Sequence, residues 1–331
     1  MALFDDNPPN PPDPNPPEED PSLPSTAEPP PSETHPATLP GDPIAHAAGV
    51  PPPAYQPQQA LPEDLRISWS WVHLIVFLVF ALLSQVVVGL GVVSYFSITH
   101  HFTSAQQKQF MESDPRFLVT STILWAAVIL LFLYVTIGVL RDLPFWSSIG
   151  WKKFRTGANQ VTGKPWMYFL AGCGLSICVA LASSKVKDVE RAPIQEFLKN
   201  RNSAVLLMSM AVLIAPVFEE TLFRGYLYPV LARIFSASAR NVGIESSSAI
   251  RAGIAGSILI TGALFGLMHA PQLGWTWDLV GLLTLVGVIF TFARAWTGTV
   301  LASFLLHLGY NSMIALAAVI QTHGFTNFPA Q

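Results

Sequence analysis

The sequence predicts an all-α fold: a polytopic transmembrane helical bundle of seven or eight spans, preceded by a disordered Pro-rich N-terminal tail. Three observations support this prediction. Hydrophobic residues make up 51% of the 331 residues and charged residues only 12%, about half the charged share of a soluble domain. The apolar residues come in blocks close to the ~20 residues that a helix needs to span a bilayer. Prolines and acidic residues, in contrast, are concentrated before residue 66.

The N-terminal tail differs in composition from the rest of the chain. Residues 1–65 contain 20 of the 28 prolines, 11 of the 21 acidic residues and no Lys or Arg. Such a segment buries too little apolar surface to offset the entropy lost on ordering. We predict a disordered acidic tail that is either a solvated tether or a Pro-rich segment that binds a partner. The remainder of the chain is mildly basic, which suits loops facing anionic membrane lipid, and no feature indicates nucleic-acid binding.

Seven hydrophobic segments follow the tail. They are Val72–Phe96, Phe117–Leu140, Pro165–Ala182, Ala204–Phe218, Gly253–Ala270, Trp277–Ala295 and Thr299–Ile320. The fourth is short for a span but continues helically toward Phe223, and Tyr226–Ser236 would add an eighth span if it enters the bilayer. We therefore divide the chain into the tail (1–65), N-terminal transmembrane helices (66–164), a core (165–320) and a C-terminal tail (321–331).

Two adjacent carboxylates, Glu219 and Glu220, end the fourth segment. Ionisable residues at membrane depth are costly and are functional candidates by default. Glu220 and Arg224 are four residues apart, so they share a helix face and form a favourable pair. Glu219 points about 100° away and is therefore available for another task. The competing interpretation is a helix that leaves the membrane here, with all three side chains solvated by lipid headgroups.

His269 ends the fifth segment. Pro271 follows it closely, and a proline stops or kinks a helix. Gly262 and Gly266 lie on the same segment, and a pair of small residues at this spacing lets another helix approach closely, which would bring His269 near a neighbouring helix. A single histidine at this position is also explained as an interfacial residue.

His307 and Asn311 lie in the middle of the last segment, four residues apart on one helix face. Both side chains can donate hydrogen bonds. Hydrogen bonding between helices would account for them, and so would a role in chemistry. His73, near the start of the first segment, has no polar motif beside it, and we interpret it as interfacial.

The joint occurrence of these side chains on three segments favours a site inside the bundle. An acid/base glutamate, a second basic group and a pair of donors are the parts that peptide-bond hydrolysis by an activated water requires. The alternative is metal-assisted chemistry, in which Glu219, Glu220, His269 and His307 offer oxygen and nitrogen ligands to zinc. Their spacing does not resemble the His-Glu-x-x-His pattern of zinc proteases.

Three short motifs resemble those of a known family. The run from Glu219 to Arg224 resembles its Glu-Glu-x-x-x-Arg motif, Phe265 to His269 its Phe-x-x-x-His motif, and His307 to Asn311 its His-x-x-x-Asn motif. The family is the CPBP family of CAAX prenyl proteases and bacteriocin-processing or immunity proteins, also called the Abi family. The resemblance covers about residues 166–320 and implies an intramembrane endopeptidase built as a helical bundle.

The same resemblance implies roles for the individual residues. By carry-over, Glu219 and His269 would activate the catalytic water, with Glu219 as the general base. His307 and Asn311 would stabilise the oxyanion. Glu220 and Arg224 would form a supporting pair.

Cofactor, substrate and location are also expectations from the resemblance. The preferred mechanism requires no cofactor, and a divalent metal such as zinc, with Glu219, His269 and His307 as candidate ligands, is the alternative. The substrate would be a peptide or protein, prenylated if the processing is of the CAAX type, or a bacteriocin-related precursor. We expect a multi-pass protein of the inner membrane of a bacterium, in contact with membrane lipid.

Two other functions are compatible with the same residues. A transporter would use the glutamates and histidines as a proton relay, although the chain shows no inverted repeat of the kind that many transporters have. A non-catalytic membrane scaffold or immunity protein would act through the Pro-rich tail and the bundle surface.

Overall fold

The computed structural model describes residues 61–154, 163–186 and 200–326, and the regular structure in these ranges is helical throughout. The predicted tail lies outside them up to residue 60, as do residues 327–331. The helices are α1 (Trp71–His100), α2 (Ser104–Ser113), α3 (Pro115–Leu133), α4 (Phe145–Ser148), α5 (Pro165–Ser183), α6 (Arg201–Leu213), α7 (Ala215–Glu220), α8 (Tyr228–Asn241), α9 (Ser246–Met268), α10 (Trp277–Thr297) and α11 (Val300–Gln321).

Seven helical stretches in the described ranges are long and apolar enough to cross a membrane. Five are α1, α5, α9, α10 and α11, and a sixth is α3 with its continuation to Arg141. The remaining one is the 41-residue stretch Arg201–Asn241, which contains α6, α7 and α8. The all-helical membrane fold is therefore confirmed with seven candidate spans. Tyr226–Ser236, considered as an eighth span, is part of the fourth stretch.

Polar side chains set the starts of several spans. Glu245 precedes α9 and accepts hydrogen bonds from the backbone N–H groups of Ser247 and Ser248, at 3.0 and 3.2 Å. The Ser247 hydroxyl and these N–H groups lower the pKa of Glu245 to about 2, so the cap stays ionised far into the acidic range. Thr299 caps α11 in the same way through the N–H of Leu301 at 3.1 Å. These caps satisfy donors that a helix start leaves without an intrahelical partner.

The largest buried cluster joins the N-terminal helices to the middle of the chain. Phe77 of α1 and Leu133 of α3 belong to it together with Phe218 and Phe223, which flank the paired glutamates. The segment that carries the glutamates is thus packed against α1 and α3. The outward side of α1, in contrast, is apolar and exposed, as a lipid-facing surface requires; Leu82 is 72% exposed.

Glycines bring the backbones of two helix pairs into contact. On α9, a Cβ atom at Gly262 would lie 2.7 Å from the backbone nitrogen of Val288, and one at Gly266 would lie 2.8 Å from the backbone nitrogen of Thr284. This confirms the predicted close approach of another helix, which is α10. On α5, a Cβ atom at Gly172 would collide with the carbonyl oxygen of Leu306 on α11.

Replacing Gly172 by Ala is expected to lower the free energy of unfolding by about 1–3 kcal/mol, because backbone atoms cannot move aside as a flexible side chain can. Gly174 is a matched control on the same helix, since a Cβ atom there has nothing within 4 Å. Gly174→Ala should leave stability unchanged or raise it by up to about 1 kcal/mol through helix propensity. Unfolding of both variants by SDS titration measures the difference, and equal stabilities would contradict the packing argument.

Candidate active site

Glu219 and Glu220 end a short helix that follows a break in the fourth span. The six-residue helix α7 begins at Ala215, directly after the end of α6, and Pro216 in its first turn has no N–H to donate back to α6. After Glu220 the chain widens into a π-helical segment, Thr221–Leu227. Such segments are rare in proteins, and those that occur are often found at functional sites. The break and the π-helical segment set the glutamates apart from a regular spanning helix.

Glu220 and Arg224 form the pair that their spacing predicts. Arg224 Nη1 donates to Glu220 Oε1 at 2.9 Å, and both side chains are fully buried. The other guanidinium nitrogens reach α10, where Nη2 donates to the carbonyl oxygen of Gly287 at 2.9 Å and Nε donates to Thr291 Oγ1 at 3.2 Å. The ring of Phe265 lies 4.6 Å from the guanidinium carbon. The competing interpretation, with these side chains solvated by headgroups, is wrong for Glu220 and Arg224.

His307 is held against the same carboxylate. Its Nδ1 is 2.9 Å from Glu220 Oε1. An ionised carboxylate only accepts hydrogen bonds, so Nδ1 carries the proton that is shared with Glu220. This contact turns Nε2 toward Glu219, whose Oε2 lies 4.0 Å away. The His307 side chain is 4% exposed, so Glu220 fixes the orientation of a buried imidazole.

His269 faces Glu219 from the other side. Its backbone N–H closes the last turn of α9, and its Nδ1 is 2.7 Å from the carbonyl oxygen of Phe265. A carbonyl oxygen only accepts, so Nδ1 of His269 is the protonated nitrogen. The other nitrogen, Nε2, then lies 3.9 Å from Glu219 Oε1. Pro271 explains why the helix stops here, as the sequence predicted.

Glu219 is the accessible carboxylate of the pair. Its side chain is 18% exposed and that of His269 is 23% exposed, whereas Glu220 is completely enclosed. No hydrogen bond from the described residues reaches Glu219 Oε2. The carboxylate therefore lies between two imidazole Nε2 atoms and retains lone pairs for a reacting group. The two glutamates are inequivalent, as helical spacing predicted.

Asn311 lies one turn beyond His307 and contacts the helix break. Its Nδ2 donates to the carbonyl oxygen of Ala211 at 2.7 Å. Ala211 is in the last turn of α6, where carbonyl groups lack intrahelical partners. This bond uses one of the two N–H groups of the amide. Asn311 thus links α11 to the break before the glutamates, and the predicted role of Asn311 as an oxyanion donor remains a prediction.

His73 is a polar residue whose role the sequence interpretation missed. Its Nδ1 is 2.8 Å from the hydroxyl of Tyr226 and its Nε2 is 3.0 Å from Thr136 Oγ1. Trp69 also stacks on the Tyr226 ring, with centroids 5.7 Å apart. The start of α1 thereby holds the π-helical segment. Thr136 and Tyr226 are 63 and 153 residues away from His73 in sequence, so no local spacing indicated these contacts.

The candidate metal ligands lie close together, at separations wider than those between the ligands of a bound zinc ion. Ligand atoms around a tetrahedral zinc, at about 2.0–2.2 Å from the metal, are about 3.3 Å apart. The two imidazole Nε2 atoms are instead 3.9 and 4.0 Å from the Glu219 oxygens. The described residues contain no group of three or more His, Cys, Asp and Glu that could hold a metal ion. Metal binding by Glu219, His269 and His307 stays a prediction.

The fold and the site together define a polytopic helical membrane protein with a Glu/His cluster inside the bundle. Residues 201–313 match the family model described as type II CAAX prenyl endopeptidase Rce1-like. The match spans all three motifs, and over these residues the chain is similar to this Rce1-like family, which is consistent with a CPBP-family intramembrane protease. No curated protein and no solved structure matches the chain. The family is one of CAAX-type endopeptidases, and the seven spans make this chain an integral membrane protein.

Proposed function

We propose that the protein hydrolyses a peptide bond with a water molecule activated by Glu219 and His269. The observation that carries the proposal is the 3.9 Å separation between Glu219 Oε1 and His269 Nε2. A water at about 2.8 Å from each atom, with an angle of roughly 90° at its oxygen, spans that separation. These two side chains are also the more exposed members of the cluster, so a substrate can reach them.

In this mechanism Glu219 is the general base. It takes one proton from the water, and the resulting hydroxide adds to the carbonyl carbon of the scissile peptide. The carbon–nitrogen bond then breaks, and the proton held by Glu219 passes to the departing amine. The unprotonated Nε2 of His269 accepts a hydrogen bond from the second O–H of the water, which stays on the hydroxide, and orients the oxygen for attack. Each proton transferred in this reaction thus has a named donor and a named acceptor.

His307 and Asn311 are the proposed donors to the oxyanion. Because Nδ1 of His307 already donates to Glu220, Nε2 can donate only if the ring carries both protons. Asn311 contributes the amide N–H that does not bond to Ala211. Donors aimed at the developing negative charge stabilise the transition state.

The proposed substrate is a prenylated peptide or protein cleaved near its C-terminus. The support is the family match, whose description names a CAAX prenyl endopeptidase. We expect cleavage after the prenylated cysteine, with the lipid chain in the bilayer. A bacterial inner-membrane location and a partner for the Pro-rich tail remain predictions from the sequence.

The test is a comparison of membrane-protein C-termini from cells that carry the wild-type protein or the Glu219→Ala variant. We expect new C-termini with the wild type alone, and each should be a prenylated cysteine. A proton-coupled transporter or a non-catalytic scaffold predicts identical C-termini in both samples, and that result would overturn the proposed protease activity. New C-termini without prenylation would retain the reaction and replace the substrate.

Chelation tests the part of the mechanism that uses no metal step. After dialysis of the purified protein against EDTA, the cleavage rate should stay within about twofold of the untreated rate, because the base and its orienting group are both side chains. Metal bound to Glu219, His269 and His307 would instead give a loss of activity on chelation that one divalent metal selectively restores. Adding back zinc, magnesium and manganese separately distinguishes these results.

A further inference from the structure

A second polar pocket lies at the end of the bundle where α1 begins and α10 ends. Its volume is about 300 Å³, and it is lined by five residues between Glu63 and Trp69, by five between Leu143 and Lys152, and by Arg294 in the last turn of α10. The catalytic motif residues are not among its lining. The chain's own N-terminal part thus forms most of the pocket, outside the segment that matches the family model.

The pocket lining is cationic. Among the lining residues that the structure describes, three are cationic (Arg66, Lys152 and Arg294) and one is acidic (Glu63). Lys152 Nζ is 3.1 Å from Glu63 Oε1, but these side chains are 41% and 59% exposed, and such exposed pairs contribute little. A doubly hydrogen-bonding anion can therefore compete for Lys152. Arg66 donates through its Nε to the carbonyl oxygen of Leu61 at 2.9 Å. This bond uses one of the five N–H donors on the guanidinium group.

Arg294 is the buried wall of the pocket. It is 2% exposed, and its guanidinium carbon lies 5.7 Å from the Tyr228 ring. Gly150 makes room for it: the residue has a φ of +95°, and a Cβ atom there would lie 2.9 Å from Arg294 Nη2. Ser68, Ser147 and Ser148 add hydroxyl groups to the lining. Cationic groups with neighbouring hydroxyls are the chemistry that binds phosphate oxygens.

Exposed tryptophans place this pocket at headgroup depth. Trp71, Trp146 and Trp296 lie at the same end of the bundle and are 59%, 51% and 69% exposed. Tryptophan is enriched where the headgroups meet the hydrocarbon. A phosphate that reaches a basic pocket at this level is most readily supplied by a membrane lipid.

We propose that this pocket binds the phosphate group of an anionic membrane lipid through Arg66, Lys152 and Arg294. The headgroup bridges the segment before α1 to the loop after α3 and to the end of α10. The same phosphate chemistry is available from free inorganic phosphate, so the experiment separates the two sources.

The experiment uses the full chain in neutral detergent micelles, titrated with phosphatidylglycerol, with phosphatidylcholine or with inorganic phosphate. Native mass spectrometry measures retained lipid, and thermal unfolding measures stabilisation. The test variant is Arg66→Gln/Lys152→Gln, both at exposed positions. The control is Lys108→Gln/Lys185→Gln, which removes two charges from exposed lysines beyond the far ends of α1 and α5.

We expect the wild type to retain phosphatidylglycerol. The affinity of the pocket variant for this lipid should be about 30-fold lower, because each of the two substitutions removes roughly the contribution of one basic residue. The control variant should match the wild type. Equal weakening in both variants would show diffuse surface attraction and overturn the pocket. Stabilisation by inorganic phosphate as large as that by phosphatidylglycerol would overturn the lipid assignment, and retention of phosphatidylcholine to the same extent would overturn the selectivity for anions.

Discussion

The Glu219→Gln variant is expected to lose about 10²–10⁴-fold in kcat for peptide cleavage while its fold and stability stay close to those of the wild type. The amide has the shape of the carboxylate but cannot take a proton from water. The loss of fold should be small because Glu219 is the accessible member of the pair, and no hydrogen bond from the described residues reaches its Oε2. Cleavage of a prenylated peptide and unfolding of the purified variant measure the two quantities separately.

A control separates this effect from the loss of any glutamate. Glu112 lies on α2, is 64% exposed and is 3.8 Å from Lys108, a pair of little energetic weight. Glu112→Gln should keep the wild-type kcat. If Glu219→Gln also retained wild-type kcat, Glu219 could not be the general base.

Combining Glu219→Gln with His269→Ala tests whether both groups act on one water. Residues that work as a unit show strongly non-additive losses. The double variant should therefore be about as inactive as the worse single variant. Losses that multiply would assign His269 to a separate step and contradict a shared water between Glu219 Oε1 and His269 Nε2.

Hydropathy predicted the spans well where the apolar run and the helix coincide, and less well where polar turns extend the helix. The segment that begins at Trp277 was predicted and observed to start at the same residue. The segment predicted from Gly253 begins instead at Ser246. The first turns of this helix are polar, and Glu245 caps the helix before the apolar region begins. A hydropathy pattern therefore does not mark where the helix starts.

The site shows the same division between local and long-range information. The Glu220–Arg224 pair could be predicted because four residues bring two side chains onto one helix face. The contact of His307 with Glu220 joins residues 87 positions apart, and it depends on how α11 packs against α7. Sequence placed both residues in one site by motif resemblance but could not show that Glu220 orients the imidazole. The π-helical segment that begins at Thr221 also had no sequence signal.

The Arg224→Met variant is expected to lose about 3–5 kcal/mol of stability, because Glu220 would remain buried without its cationic partner. The arginine is fully enclosed and holds three oxygen acceptors, on Glu220, Gly287 and Thr291. Unfolding by SDS titration measures the loss. Arg251, on the exposed part of α9, donates to Ser248 at 3.0 Å and gives a control: Arg251→Met should change stability by about 0.5 kcal/mol or less.

The double variant Glu220→Gln/Arg224→Met identifies the cause of the loss. If the cost arises from an uncompensated buried charge, neutralising Glu220 recovers part of the stability, since replacing a buried pair is often far less costly than breaking it. Activity should not recover, because the carboxylate that holds Nδ1 of His307 is lost. A double variant less stable than Arg224→Met would show that the charge of Glu220 is stabilised mainly by His307, at 2.9 Å, rather than by Arg224. The comparison of the two variants therefore shows how much of the stabilisation of the buried Glu220 carboxylate comes from Arg224 and how much from His307.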